Sequence, residues 1–217
     1  MSQFANRASA GRELAIVLDK YVDSPDVLVL GLPRGGVPVA FEVARALHAP
    51  LDVMIVRKIG APGQPELAIG AIASGGVTVI NEGLLQWFRD SQAIERAQAA
   101  ERIELERREK AYRGTRPPLT LKERIVILVD DGAATGASML AAVRAARQLG
   151  PRKVVVALPV AGSSACELLS KEADELVCLS APSSFYAVGE WYADFGQTTD
   201  REVTELLART DEATPAP

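Results

Sequence analysis

Apolar and polar positions follow two different periods along this chain. Short, near-continuous apolar runs recur at VLVLGL (27 to 32), LDVMIV (51 to 56), RIVILVD (124 to 130), KVVVALPV (153 to 160) and ELVCLS (175 to 180). Runs this short, rich in β-branched residues and apolar on both faces, predict strands of a parallel sheet covered on both sides. Between them, VPVAFEVARALH (37 to 48) and GASMLAAVRAARQLG (136 to 150) carry helical spacing, and Gly150 with Pro151 supplies a helix stop. The alternation predicts an α/β fold, a doubly wound, mainly parallel sheet with helices on both faces. Residues 8 to 21 predict an amphipathic helix ahead of the first strand, and residues 210 to 217 a flexible tail.

From 67 to 113 the rhythm changes. LAIGAIASGGVTVINE predicts a hairpin turning at Gly75 and Gly76, and residues 82 to 113 predict one long helix or two. Together they read as an insertion between strands of the sheet. The Glu/Arg alternation of the helical part fits a solvated face with spaced ion pairs; the sharper alternative is a packing surface for a second subunit. A length of 217 residues suits one core, so a single domain is expected over 1 to 217.

Charge and cysteine content narrow the chemistry. With 24 Lys and Arg against 28 Asp and Glu, the net charge of −4 lacks the basic excess of a dedicated nucleic-acid binder, so any anion site is local. Cys166 and Cys178 form no CxxC pair, and with His48 alone there is no Cys/His cluster spaced for zinc. The first residues lack the apolar core of a signal peptide, and no apolar run reaches membrane-spanning length. A reduced, cytoplasmic setting without membrane association is expected.

The most informative stretch is IVILVDDGAATGAS (125 to 138), an apolar strand ending in two acids, then small residues opening a helix. At the carboxyl end of a parallel strand the chain enters the crevice where open α/β sheets bind ligands. Gly132, Ala133, Ala134, Gly136 and Ala137 keep side chains away, so backbone N–H groups can surround a phosphate at the helix N-terminus, and Thr135 and Ser138 add hydroxyls. Asp130 and Asp131 can present acceptors to two neighbouring sugar hydroxyls. Each part alone has a plainer reading, as a packing turn or an N-cap. The ordered combination is far more restrictive, and without Gly-Lys-Ser/Thr or GxGxxG it disfavours ATP and NAD.

That stretch resembles the phosphoribosyl pyrophosphate signature of type I phosphoribosyltransferases. The resemblance implies that Asp130 and Asp131 hold the ribose hydroxyls and that Gly132 to Ser138 cradle the 5′-phosphate; Ala134 stands where many members carry a second Thr. A second strand–loop–helix, GLPRGGVPVA (31 to 40), offers Arg34 as a fork of donors and Gly35 and Gly36 for close backbone approach. Its plainer reading is a Pro/Gly turn with a surface Arg. In the family the corresponding loop binds pyrophosphate, which implies Pro33, Arg34, Gly35 and Gly36 for that role and a non-proline cis peptide between Leu32 and Arg34. Arg57 and Lys58 fall where members place basic residues near pyrophosphate. Gly60 to Pro65, rich in Gly and Pro, reads as a mobile lid or an ordinary loop.

Five of the chain's few aromatics, Phe185, Tyr186, Trp191, Tyr192 and Phe195, fall in one segment within 181 to 199, expected as a small C-terminal hood. They either close a core or form a stacking wall. The segment looks like a lengthened form of the base-binding segment of 6-oxopurine phosphoribosyltransferases, which implies Phe185, Tyr186, Trp191 and Asp194 on the acceptor side. The preceding strand end, ALPVAGSSA, lacks the Lys those enzymes use to read a purine carbonyl, so purine specificity does not follow. The whole chain resembles a group of bacterial predicted phosphoribosyltransferases of unassigned acceptor.

The resemblance thus implies transfer of a phosphoribosyl group from phosphoribosyl pyrophosphate to a nucleobase-like acceptor in a homodimer. Asp130, Asp131, Arg34 and Lys58 would be the catalytic groups, with both acids kept ionised by the nearby cation and metal and Asp131 the first base to test. Mg²⁺ is the implied cofactor, reached by Asp130 and Asp131 only through water. The alternatives are a non-catalytic regulator that senses phosphoribosyl pyrophosphate or a nucleotide, and hydrolysis or phosphorolysis of a related ribosyl phosphate.

Overall fold

The computed structural model describes residues 4–88 and 90–213. In chain order the elements are α1 (Arg7–Val17), β1 (Val27–Gly31), α2 (Gly36–Leu47), β2 (Leu51–Val53), β3 (Val56–Ala61), β4 (Gln64–Ala73), β5 (Val77–Ile80), α3 (Glu82–Leu85) and α4 (Ser91–Arg113). They continue with β6 (Ile125–Val129), α5 (Ala137–Gln148), β7 (Lys153–Val160), α6 (Ser163–Glu172), β8 (Glu175–Ser180) and α7 (Asp200–Ala213).

The five apolar runs form one sheet in the order β2-β1-β6-β7-β8, every pair parallel. Alternation across the pleat assigns each strand residue to one of two cores. Val27, Val29, Ile127, Val129, Val155 and Ala157 face α1, α2 and α7, while Leu28, Leu30, Val126, Leu128, Val154 and Val156 face α5 and α6. Both faces are covered, as uninterrupted apolar strands demand. Beyond one sheet edge, Lys153 Nζ, Lys20 Nζ and the Tyr21 hydroxyl all donate or pair to the carboxylate of Glu175 at 2.8 Å, tying the end of the N-terminal segment to β7 and β8.

The expected strand 51 to 56 divides. β2 ends at Val53, and β3 joins β4 and β5 in a separate antiparallel sheet. The hairpin turning at Gly75 and Gly76 is present as β4 and β5. Gly60 to Pro65 is not an irregular loop: Ala61 pairs with Gln64, and Pro62 with Gly63 makes the tight turn that closes β3 onto β4. This second sheet has its own small core, in which Ile59, Ala61 and Ile69 pack against Ile94 of α4. The helical stretch 82 to 113 resolves into two, α3 and α4, capped by Asn81 and Asp90. The first helix ends at Val17 and gives way to a 3-10 turn, Asp19–Tyr21. α7 extends to Ala213, into the expected tail, whose residues 214–217 lie outside the described residues.

The segment ahead of α1 meets the stretch that precedes α7. Phe4 N–H donates to Trp191 O and Ala193 N–H to Phe4 O, both at 2.8 Å, and Asp194 N–H reaches Ala5 O at 3.0 Å. Phe4, Trp191 and Tyr192 are buried there with Ala10 and Val160, so the expected C-terminal hood is built jointly with the N-terminal segment.

Candidate functional site

Parallel pairing of β1 with β6 brings Gly31 beside Val129, so the loops that follow these strands emerge side by side. Leu32 N–H donates to Val129 O at 2.8 Å, fixing the first loop against the second. The loops then approach so closely that no side chain fits between them. A Cβ at Gly35 would lie 2.0 Å from Asp131 Oδ2, and one at Gly36 2.8 Å from Asp130 Cα. The peptide between Pro33 and Arg34 is cis, within the stretch Leu32 to Arg34 where the resemblance implied one.

Each of the two acids has one oxygen bonded to the protein. Asp130 Oδ1 accepts from the Asp131 N–H at 2.9 Å, and Asp131 Oδ2 accepts from Arg7 Nε at 2.8 Å. Asp130 Oδ2 and Asp131 Oδ1 have no protein donor among the described residues. Since no buried side-chain oxygen there lacks a partner, neither of these two is fully buried, and Asp130 lines the cavity of the loop that follows. Burial pushes the Asp130 carboxyl well above the ordinary carboxylate range, and the adjacent Asp131 charge adds to this. Burial also raises Asp131, against the opposing hydrogen bond and charge of Arg7. In the ligand-free protein, desolvation of the two carboxyls thus outweighs the one cation in contact.

Beyond the acids, Gly132 to Met139 and Asp130 line a cavity of about 120 Å³. Ala133 N–H donates to Val160 O and Gly162 N–H to Ala133 O, both at 3.0 Å, which clips this loop to the end of β7. Gly136 precedes α5 in a left-handed conformation, φ 76°, that disfavours other residues. The N–H groups of Thr135, Gly136, Ser138 and Met139 have no protein acceptor among the described residues, and those residues line the cavity. Unpaired amides at a helix N-terminus form an anion cradle.

The hood side adds groups that the sequence did not announce. Arg7 lies 3.9 Å over the Phe195 ring, and its Nη1 donates to Gly196 O at 2.7 Å. The Tyr192 hydroxyl donates to Asp131 O; burial, first of all, raises its pKa and keeps it a donor. Arg34 reaches toward the N-terminus of α7, where Asp200 accepts from the Tyr112 hydroxyl at 2.6 Å and lies 3.7 Å from Arg34 Nη1.

Against this geometry, the family model described as phosphoribosyl transferase domain matches residues 3–195. The chain belongs to this family. Two Mycobacterium tuberculosis relatives, from strains CDC 1551 / Oshkosh and ATCC 25618 / H37Rv, each provisionally named a phosphoribosyl transferase, are 47% identical over 210 residues. That covers 96% of this chain and 47% of theirs, so the chain spans about half the length of these relatives. A solved structure, TT1426 from Thermus thermophilus, is 49% identical with a TM-score of 0.85, covering 95% of this chain and 98% of that one.

As a phosphoribosyl transferase domain, the chain brings together Asp130, Asp131, the loop Gly132 to Ser138, and Pro33 to Gly36. Within the latter, Gly36 N–H donates to Leu32 O at 3.0 Å, so Gly36 shapes the loop and is not itself a free donor. Of the other expected cations, Arg57 Nε is bonded to Glu101 Oε2 at 2.7 Å, and Lys58 lines a groove of about 190 Å³ between the second sheet and α5 that shares Ala137 with the loop cavity. The four expected acceptor residues occupy different settings. Phe185 stacks on Trp191 with ring centres 6.4 Å apart; Trp191 is only 7% exposed and packs in the hood core; Tyr186 is 83% exposed; and Asp194 lines a cavity of about 290 Å³ with Asn6, Arg7 and Gln197. No local signal marks Arg7, because its place depends on Phe4 pairing with Tyr192 far along the chain.

Proposed function

We propose that the chain transfers the 5-phosphoribosyl group of phosphoribosyl pyrophosphate to a planar, nucleobase-like acceptor, releasing pyrophosphate. The observation that carries this reading is the pair of adjacent acids, Asp130 and Asp131, each with one oxygen not engaged by another residue, beside an amide-lined cavity and packed against the Pro33 to Gly36 loop. Two open acceptors suit two neighbouring hydroxyls, and the cavity suits the 5′-phosphate on the same sugar. Arg34 and the Gly35 N–H would then face the pyrophosphate and stabilise the negative charge that gathers on it as its bond to the anomeric carbon breaks. The acceptor forms the new bond to that carbon. Where it must lose a proton, Asp131 Oδ1 is the base we assign.

No group of three or more His, Cys, Asp or Glu residues that could hold a metal ion occurs among the described residues. The two adjacent carboxylates fit Mg²⁺, which keeps its waters and relies on substrate oxygens; Asp130 and Asp131 would hold it through water. Bound there, it would neutralise charge on the leaving pyrophosphate. Phe185 and Tyr186 remain the proposed stacking contacts for the acceptor, with Trp191 supporting Phe185 from behind and Asp194 as a polar contact. No helix among the described residues is long and apolar enough to cross a membrane. A homodimer in the cytoplasm is our working assembly, and sedimentation tests its oligomeric state.

One observation favours a second reading, a sensor of phosphoribosyl pyrophosphate without turnover. Arg57 is engaged by Glu101 and Lys58 lines the groove beside α5, which leaves Arg34 as the side-chain cation on the Pro33 to Gly36 loop itself. Incubation with Mg²⁺, phosphoribosyl pyrophosphate and a panel of bases, with pyrophosphate release followed directly, separates the two. Release dependent on one base supports the transferase, tight binding without release supports the sensor, and no binding defeats both.

A further inference from the structure

We infer that Arg7 is a positioning residue of the ribose grip, holding one oxygen of Asp131 so that the other faces the sugar, and joining that carboxylate to the acceptor-side segment. The inference rests on the proposed reading of Asp130 and Asp131. The guanidinium is used in three directions: Nε to Asp131 Oδ2 at 2.8 Å, Nη1 to Gly196 O at 2.7 Å, and its face on the Phe195 ring at 3.9 Å. Only a planar fork makes all three contacts together; a lysine ammonium replaces one of them. Both partners are largely covered, with side chains 13% and 14% exposed, so the pair is shielded from the screening that weakens surface ion pairs.

Arg7 is itself held in place. Asn6 caps α1 through the Ser9 N–H at 2.9 Å while Ser9 Oγ accepts from the Asn6 N–H at 3.0 Å, and Phe4 is locked in register with Tyr192. Gly35 approaches the same carboxylate so closely that a Cβ there would meet Oδ2, while the Tyr192 hydroxyl holds the main-chain oxygen of Asp131. Asp131 is thereby clamped from α1, from the loop after β1 and from the hood. Oδ1 is the oxygen left for a ligand. The sugar-contacting geometry of one loop therefore depends on a residue from the opposite end of the chain, and the same residue touches the segment on the acceptor side.

The experiment compares two probes by calorimetry on the full chain, inorganic phosphate and ribose 5-phosphate. Phosphate reads the amide cradle alone, whereas ribose 5-phosphate also reads the hydroxyl grip. Arg7→Gln is expected to weaken ribose 5-phosphate by about tenfold or more while phosphate changes by less than about twofold, with Arg7→Lys recovering part of the loss. Phe195→Leu removes the stacking face, keeps the ion pair, and is expected to fall between wild type and Arg7→Gln. Should Arg7→Gln fail to fold, Arg7→Lys and Phe195→Leu decide: loss confined to ribose 5-phosphate supports the role. Unchanged ribose 5-phosphate binding, or equal loss for both probes, overturns it. Wild-type protein that binds phosphate but gains nothing from the ribose would instead overturn the proposed reading of the acids.

Discussion

Gly35 leaves no room for a side chain above Asp131: the nearest carboxylate oxygen lies 2.0 Å from where a Cβ would stand. The carboxylate cannot swing aside freely, because Arg7 holds that oxygen. Gly35→Ala is therefore expected to displace Asp131 and lower affinity for phosphoribosyl pyrophosphate by about tenfold or more, while circular dichroism reports an intact fold. An alanine variant with wild-type affinity would show that the carboxylate is free to move.

The acids of the cleft are held at a cost to the ligand-free fold. Because burial raises the Asp130 pKa above its unfolded value, ionising it destabilises the folded state, and stability falls as pH rises from the ordinary aspartate range toward the raised value. Asp130→Asn keeps an oxygen for the Asp131 N–H and removes that charge. We expect its Tm at pH 7 to rise by about 3 °C while ribose 5-phosphate binding is lost, as for a site that trades stability for function. A lower Tm would mean that the carboxylate is stabilised by contacts other than these.

Glu175 behaves in the opposite sense. Burial works to raise its pKa, but Lys153, Lys20 and Tyr21 together outweigh it and bring it down from 4.5 to about 2. A depressed folded pKa contributes stability above the unfolded value that is lost as pH falls toward the folded one. Glu175→Gln should lower Tm by about 3 °C at pH 7 and flatten the acid-side loss between pH 4.5 and 2. Scanning calorimetry across that range checks both effects; parallel wild-type and variant curves would remove Glu175 from the account.

Trp191 and Tyr186 separate packing from ligand contact within one aromatic segment. Trp191→Ala should cost about 3 kcal/mol of stability, the scale for emptying a buried aromatic site. Tyr186→Ala, at an exposed ring, should leave denaturant unfolding unchanged and alter only the response to acceptors. A reversal of these two outcomes would require a different hood.

The features legible in the sequence are contiguous ones. Strand, acids, small-residue turn and helix follow one another between Ile125 and Gln148, so local spacing dictated both the elements and the anion cradle. The same holds for Gly31 to Leu47. What escaped depends on distant partners. Glu101, 44 residues beyond Arg57, decides where that cation points, and the register of Phe4 on Tyr192 decides where Arg7 falls. Composition near Gly60 suggested mobility because Pro and Gly serve both loops and tight turns; pairing of Ala61 with Gln64 selected the turn. The aromatic run likewise did not reveal which rings the hood would bury.

The division of each carboxylate into one bonded and one open oxygen has a consequence for sugar choice. Asp130 and Asp131 together offer one free acceptor per hydroxyl of a vicinal pair. A 2-deoxy sugar would leave one of those oxygens facing the bound ligand with neither water nor a donor, a mismatch that costs more than the missing bond alone. On the proposed reading, the grip excludes deoxyribose phosphates by the same atoms that hold ribose.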